Sequence, residues 1–167
     1  FFDGFVHKDD WNYERWDGYE TDGLLNFGRE FIDYAGEDPF LLFLSPHQPH
    51  FTPFTFAPES YYHRLSKTLT LPANVPEHKR EASLDMYRRY LAMILAVDHM
   101  LGNLLDYLDA KGLADNTIVV FASDHGTQGG AQGINPWSKK NPLRCLHSYS
   151  RHYSLSRAHQ GRRSMRP

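Results

Sequence analysis

Apolar residues fall along this chain in two kinds of run, one periodic and one unbroken. Leu24, Leu25, Phe27, Phe31 and Ile32 recur at helical spacing after Glu20-Thr21-Asp22, which predicts an amphipathic helix to about Tyr34 with Thr21 or Asp22 as its N-cap. A longer helix is predicted from Glu77 to about Lys111. Tyr87, Tyr90, Leu91, Ile94, Val97, Leu101, Leu104, Leu105 and Leu108 there fall mostly three or four apart, and Gly112 stands in the capping position. The unbroken runs are Phe40 to Ser45, after the Gly36-Glu37-Asp38-Pro39 turn, and Thr117 to Ala122. Both are too short for free-standing helices and predict buried strands. Strand, loop, helix and strand in that order make a βαβ crossover. The predicted fold class is therefore α/β, a parallel sheet layered between helices.

The remaining segments are less regular. Phe1 to Trp16 is aromatic and polar without a period and reads as an ordered loop or a broken edge. Pro46 to about Pro76 is rich in Pro, His, Thr and aromatics, which predicts a long surface segment over a sheet edge, the kind of loop that often carries function.

Composition adds that a core is available, since 41% of 167 residues are hydrophobic and 14% aromatic. It excludes disorder throughout. No uninterrupted apolar stretch approaches the roughly 18 residues of a membrane span, so no span is expected. Phe1-Phe2-Asp3-Gly4 has neither a signal-peptide pattern nor an initiator Met, and the chain reads as part of something longer. Cys145 is the one cysteine and excludes an internal disulfide.

The net charge of −2 hides a split, because all 20 acids lie at or before Asp124 while Leu143 to Pro167 holds six Arg, three His and no acid. A basic arm for an anionic partner is one reading. A tail of separate origin is the other. A nucleic-acid arm would need basic residues interleaved with aromatics in a defined fold, and the tail offers only composition, so no nucleic-acid partner is expected.

Ligand sites in open α/β sheets lie beyond the carboxyl ends of the strands, and both predicted strands end in chemistry. Thr117 to Ala122 runs into Ser123-Asp124-His125-Gly126, where an acid and an imidazole in adjacent positions suit one divalent ion. Asp124 as a helix N-cap is the alternative. Phe40 to Ser45 runs into Pro46-His47-Gln48-Pro49-His50, where prolines stiffen two imidazoles that can donate to an anionic oxygen or protonate a leaving group. Polar loop residues are the alternative there. Lys139-Lys140 follows a loop containing Gly126, Gly129, Gly130 and Gly133, and a lysine beside such backbone can pair with a sulfate or phosphate oxygen. Alone, that pair is a solvated surface.

Taken together, Tyr19-Glu20-Thr21-Asp22, Phe43 to His50, Val97-Asp98 with Gly102, and Asp115-Asn116-Thr117 leading into Ser123-Asp124-His125-Gly126 resemble the sulfatase family of the alkaline-phosphatase-like superfamily. The resemblance runs from about Tyr19 to Pro142 and implies an incomplete alkaline-phosphatase-like sheet. It also implies that Asp124 and His125 ligate a divalent cation, most often Ca2+, that His50 contacts the sulfate or leaving-group oxygen, and that Lys139 binds the sulfate, with Lys140 as its substitute. The implied partner is a sulfate-ester small molecule or carbohydrate, and the implied location periplasmic, secreted or lysosomal. A phosphatase or phosphodiesterase of the same superfamily and a non-catalytic remnant are the competing readings.

The departures from the family are as informative. Its Cys/Ser-x-Pro-x-Arg nucleophile motif has no counterpart, because Cys145 is followed by Leu146-His147, and its paired N-terminal aspartates are not matched by Asp9-Asp10. The chain alone is therefore expected to be inactive. After Lys139-Lys140-Asn141-Pro142 the family continues with Tyr, an acid, a variable residue, Ser, Ile or Val, Arg, Ile or Val, and Pro. A suitable choice of codons for Leu143 to Tyr153, read from the second base, spells Tyr-Asp-Val-Ser-Ile-Arg-Ile-Pro. The expected division is thus 1–142 as a partial catalytic domain and 143–167 as a basic tail, out of frame and disordered. Sequencing the coding DNA tests this: a single-base shift near codon 143 is expected to restore the family pattern, and a gene in which no shift restores it refutes the frameshift.

Overall fold

The long helix organises the molecule. In the computed structural model, which describes residues 2–7, 12–50, 52 and 54–138, the chain opens with a hairpin of β1 (Phe5–His7) and β2 (Tyr13–Arg15). It continues with helices α1 (Glu20–Ala35), α2 (Glu59–His63) and α3 (Arg80–Ala110), and short 3-10 turns lie at Glu77–Lys79, Ala114–Asn116 and Ala131–Gly133. The hairpin is antiparallel, pairing Phe5 with Arg15, Val6 with Glu14 and His7 with Tyr13, so the described part of this aperiodic segment holds paired strands where a loop or broken edge was expected.

Helix α1 buries Thr21, Leu25, Gly28 and Ile32, one stripe at spacings of four, three and four. Its N-cap is Tyr19, not Thr21 or Asp22, and no side chain caps it. The helix starts early because Glu20 and Thr21 are already turned into the protein. At the other end Gly36 takes φ +58 and its N–H donates to Ile32 O at 3.2 Å, the left-handed ending for which glycine is suited.

Helix α3 buries Ser83, Met86, Met93, Ala96, Val97 and Met100 along one stripe. It ends as predicted. Gly112 takes φ +71 and Leu113 N–H reaches back to Leu108 O at 2.9 Å, the long-range bond of a Schellman cap. By length and composition the helical stretch Glu77–Ala110 is apolar enough to cross a membrane, although polar residues interrupt it throughout. Its apolar stripe nevertheless serves a protein core. The N-terminal half packs with Tyr19, Ala57 and Tyr61 and is flanked by Tyr62, Leu65, Tyr90 and Trp137, while Val97 and Met100 pack with Leu24, Leu25 and Leu104. Asp33 of α1 joins the two helix ends, taking Tyr107 Oη–H and Lys111 Nζ–H, each at 2.6 Å.

The two predicted strands are extended but belong to no hydrogen-bonded ladder among the described residues, and they are covered on one face only. Leu42 and Leu44 lie over Gly28 of α1, whereas Leu41 and Phe43 are 89% and 83% exposed. Thr117, Val119 and Phe121 line a groove of about 350 Å³ with Leu101, Leu105 and Leu108 of α3, whereas Ile118 and Val120 are 75% and 69% exposed. Two-residue alternation of this kind is strand behaviour with a helical layer on one side. Burial on both faces was expected, and the structure supplies one.

The loop that follows the second extended segment is buried against α3. A Cβ on Gly130, at φ +90, would overlap Ser83 Oγ, and one on Gly129, at φ +57, would overlap the Tyr87 ring. Gly130→Ala is therefore expected to destabilise the chain by about 2 kcal/mol or more in urea unfolding. Gly102→Ala, inside α3 with open space beside it, should instead stabilise by about 0.5–1 kcal/mol. Equal effects at the two positions would refute the packing of this loop on α3.

Candidate functional site

The turn Ser123–Gly126 ends the second extended segment and carries an adjacent acid and imidazole. Asp124 Oδ1 accepts the His125 backbone N–H at 2.7 Å, and Ser123 Oγ donates to His125 O at 3.0 Å, so the turn is held by its own side chains. His125 Nδ1 lies 2.9 Å from Gly126 O, a carbonyl that only accepts, which puts a ring proton on Nδ1 and makes Nε2 the nitrogen available to a metal. That Nε2 is 3.5 Å from Asp124 Oδ2. With ligand bonds of about 2.1 to 2.4 Å, a separation of this size corresponds to two neighbouring ligands on one cation. The pair therefore fits a divalent ion, but no group of three or more His, Cys, Asp or Glu suited to a metal occurs among the described residues. Asp124 is not a helix N-cap, since the residues after it form no helix until the 3-10 turn at Ala131.

The end of the first extended segment folds into a tight turn. His50 N–H donates to His47 O at 2.7 Å across the Gln48-Pro49 bond, which is cis. Glu20, the first residue of α1, grips this turn from below. Its Oε1 meets His47 Nδ1 at 2.5 Å and accepts the His47 backbone N–H at 3.3 Å, and its Oε2 accepts Gln48 Nε2–H at 3.2 Å. The imidazoles of His47 and His50 belong to exposed residues, while Gln48 between them is buried.

Both turns rest on the same core. Tyr19, whose phenol lies near Gln48, packs with Met86 and Met93 of α3. Tyr90 packs against that cluster too, and its phenol is raised by burial first and by the Asp124 carboxylate second. Arg89 extends the support, stacking over Phe56 at 4.6 Å and Trp137 at 5.5 Å while bonding Asp85 at 3.0 Å. The loop after Pro53 and the loop after Gly126 are thus pinned to one stretch of helix. Lys139 and Lys140 lie outside the described residues, as does the whole of 143–167.

Sequence reasoning found the two turns but missed Glu20 and Tyr90. Glu20 is separated from its partners by 27 and 28 residues, and Tyr90 sat within the helical pattern as an apolar position. An acid in the first helical turn, ahead of a strand ending in His-x-x-His, was the signal available for the first. Nothing local marked the second.

Three comparisons place this geometry among known proteins. The sequence model of the family described as Sulfatase matches residues 2–155. An ulvan-active sulfatase of Formosa agariphila is 33% identical over 139 residues, covering 81% of this chain and 27% of that protein. An N-acetylglucosamine-6-O-sulfatase of Bacteroides thetaiotaomicron is 56% identical over 39 residues, or 23% of this chain and 7% of that one. A solved structure of a putative sulfatase from Bacteroides fragilis superposes with a TM-score of 0.63 at 27% identity, covering 75% of this chain and 29% of that one. The likeness extends to the fold: the described residues make up part of an α/β domain of the alkaline-phosphatase-like kind. This chain spans less than a third of the length of these relatives.

Phenols buried around the site make it sensitive to alkali. Burial pushes Tyr19 far above its ordinary value, more strongly than the neighbouring Gln48 amide pulls it down, and burial also raises Tyr61, Tyr62 and Tyr90. A phenol raised in the fold keeps its proton there longer than in the unfolded chain, where it ionises near pH 10. The stability these groups contribute is therefore complete below about pH 10 and is lost as pH climbs beyond it. In a spectrophotometric titration, part of the tyrosine absorbance should lag and then appear together with loss of the helical signal, and Tyr19→Phe should shrink the lagging part. Ionisation of every tyrosine in a single step with the helices intact would contradict this burial.

Proposed function

This chain belongs to the sulfatase family, and we propose that it forms the central part of the catalytic domain of a sulfuric ester hydrolase. Residues 1–142 make up that part in this reading. Asp124 and His125 hold a divalent cation, Ca2+, and His50 and Lys139 contact the sulfate group. The substrate is a sulfate ester of a small molecule or carbohydrate, in keeping with relatives named for ulvan and N-acetylglucosamine. The observation that carries the reading is the convergence of Asp124 Oδ2 and His125 Nε2 to 3.5 Å at the end of an extended segment. An acid and an imidazole held this way make a cation site if further donors join them.

The chemistry asked of these residues follows from the charge of a sulfate ester. As the ester bond opens, negative charge gathers on the leaving oxygen and on the sulfate, and groups that already point positive charge or N–H bonds there lower the barrier. A bound divalent cation supplies Lewis-acid stabilisation of that kind. Lys139 would act as a point charge on a sulfate oxygen, and His50 as a donor to the sulfate or a proton source for the departing alcohol. The fixed tautomer of His125, with Nδ1–H on Gly126 O, leaves Nε2 as the ligand atom. None of these residues attacks sulfur, and the chain carries no Cys/Ser-x-Pro-x-Arg segment to do so.

Isothermal titration with calcium chloride tests the metal reading on the full 167-residue chain. The Asp124→Ala, His125→Ala double variant should bind calcium at least about tenfold more weakly with its helical signal intact. Equal binding by both proteins would remove Asp124 and His125 from the site. The same chain should not hydrolyse an aryl sulfate, and turnover by it would overturn the claim that the nucleophile is lacking.

A further inference from the structure

Among the described residues Glu20 is the one buried charged side chain, only 4% exposed, and the chemistry above gives it no task. It stands in the first turn of α1, where free backbone N–H groups favour a negative charge. Both its oxygens go to a single turn in another segment. Oε1 takes His47 Nδ1 and the His47 backbone N–H, and Oε2 takes the Gln48 side-chain amide. The residue so gripped holds His50 in turn, because His47 O accepts the His50 N–H at 2.7 Å.

We propose that Glu20 is a positioning residue that fixes His47 as the Nδ1–H tautomer and holds the His47–His50 turn, so that the His50 imidazole meets the sulfate in one orientation. The proposal rests on the reading of His50 given under the proposed function. An ionised carboxylate only accepts hydrogen bonds, so the ring nitrogen facing it carries a proton. Removing the carboxylate strands the Gln48 amide in a buried place and removes the Glu20 bonds to the His47 backbone and ring. The next residue held by the same backbone is His50. A carboxylate serving only to tie α1 to this segment would need no more than one of these bonds. Glu20 uses both oxygens on two successive residues, and the segment ends three positions later in the histidine that the reaction requires.

Nuclear magnetic resonance of the full chain, labelled with nitrogen-15, tests this in the wild type, Glu20→Gln and Glu20→Ala. In the wild type the His47 ring should show the Nδ1–H signature. Glu20→Gln keeps the shape but offers an N–H as well as an oxygen, so the tautomer preference should disappear while the helices persist, which keeps the test open if Glu20→Ala fails to fold. In Glu20→Ala the His50 amide should exchange about tenfold faster, with α3 still protected, and sodium sulfate should shift the His50 ring less than in the wild type. Unchanged His47 tautomer and unchanged His50 exchange overturn the proposal. If both respond to the substitutions while sulfate moves no His50 resonance even in the wild type, the positioning by Glu20 stands and the assignment of His50 to sulfate falls.

Discussion

Burial of one stripe of helix α3 is the constraint on which the rest of the structure depends. Met86, Met93, Ala96, Val97 and Met100 are methionines and small residues, which let close neighbours pack where larger side chains would hold them off. Tyr19 at the start of α1, Ala57 and Tyr61 around α2, and Trp137 beyond the glycine loop all meet the N-terminal half of that stripe. Each burial removes apolar surface from water, at roughly 25 cal/mol per Å². More important for function is where these contacts fall in sequence. Tyr19 precedes Glu20, Ala57 follows the His47–His50 turn, and Trp137 follows the Asp124–His125 turn. Packing on one helix therefore brings segments more than 100 residues apart in sequence under common control.

The helices were legible because burial on one side of a 3.6-residue period leaves its mark in every turn. Leu25 and Ile32 for α1, and Val97, Leu108 and the cap at Gly112 for α3, lie where the pattern requires, but Phe31 and Ile94 of the same pattern are exposed, and the stripe α3 buries runs instead through Ser83, Met86, Met93, Ala96 and Met100. The extended segments were legible as extended, but not in their surroundings. Unbroken runs such as Phe40 to Leu44 and Ile118 to Phe121 contain an apolar residue at every position, so the sequence alone does not tell which face meets a helix. The structure does, through Leu42 and Leu44 over Gly28 and through Val119 and Phe121 over Leu101 and Leu105. Glu20 was not legible as part of the site for another reason. Its role comes from contacts 27 and 28 residues away, and in its own neighbourhood it is an ordinary helix-opening acid.

The outward faces of the two extended segments and the two-residue cation pair are one shortfall seen in two places. Leu41, Phe43, Ile118 and Val120 are large apolar side chains open to water, on segments with no ladder partner among the described residues. Two-sided apolar strands are the sequence form of a parallel sheet covered on both faces. Under the proposed function, Asp124 and His125 likewise offer a cation two ligands where a closed site takes four or more. Further strands and a second helical layer would satisfy the first deficit, and the loops at their carboxyl ends the second. The chain spans 27% of the length of its ulvan-active relative. Under the proposed function, the apolar outer residues are therefore as much a part of the site as its ligands. They set the plane in which the Asp124–His125 turn must meet the groups that complete it, and a strand displaced by one residue would turn every such ligand to the opposite face.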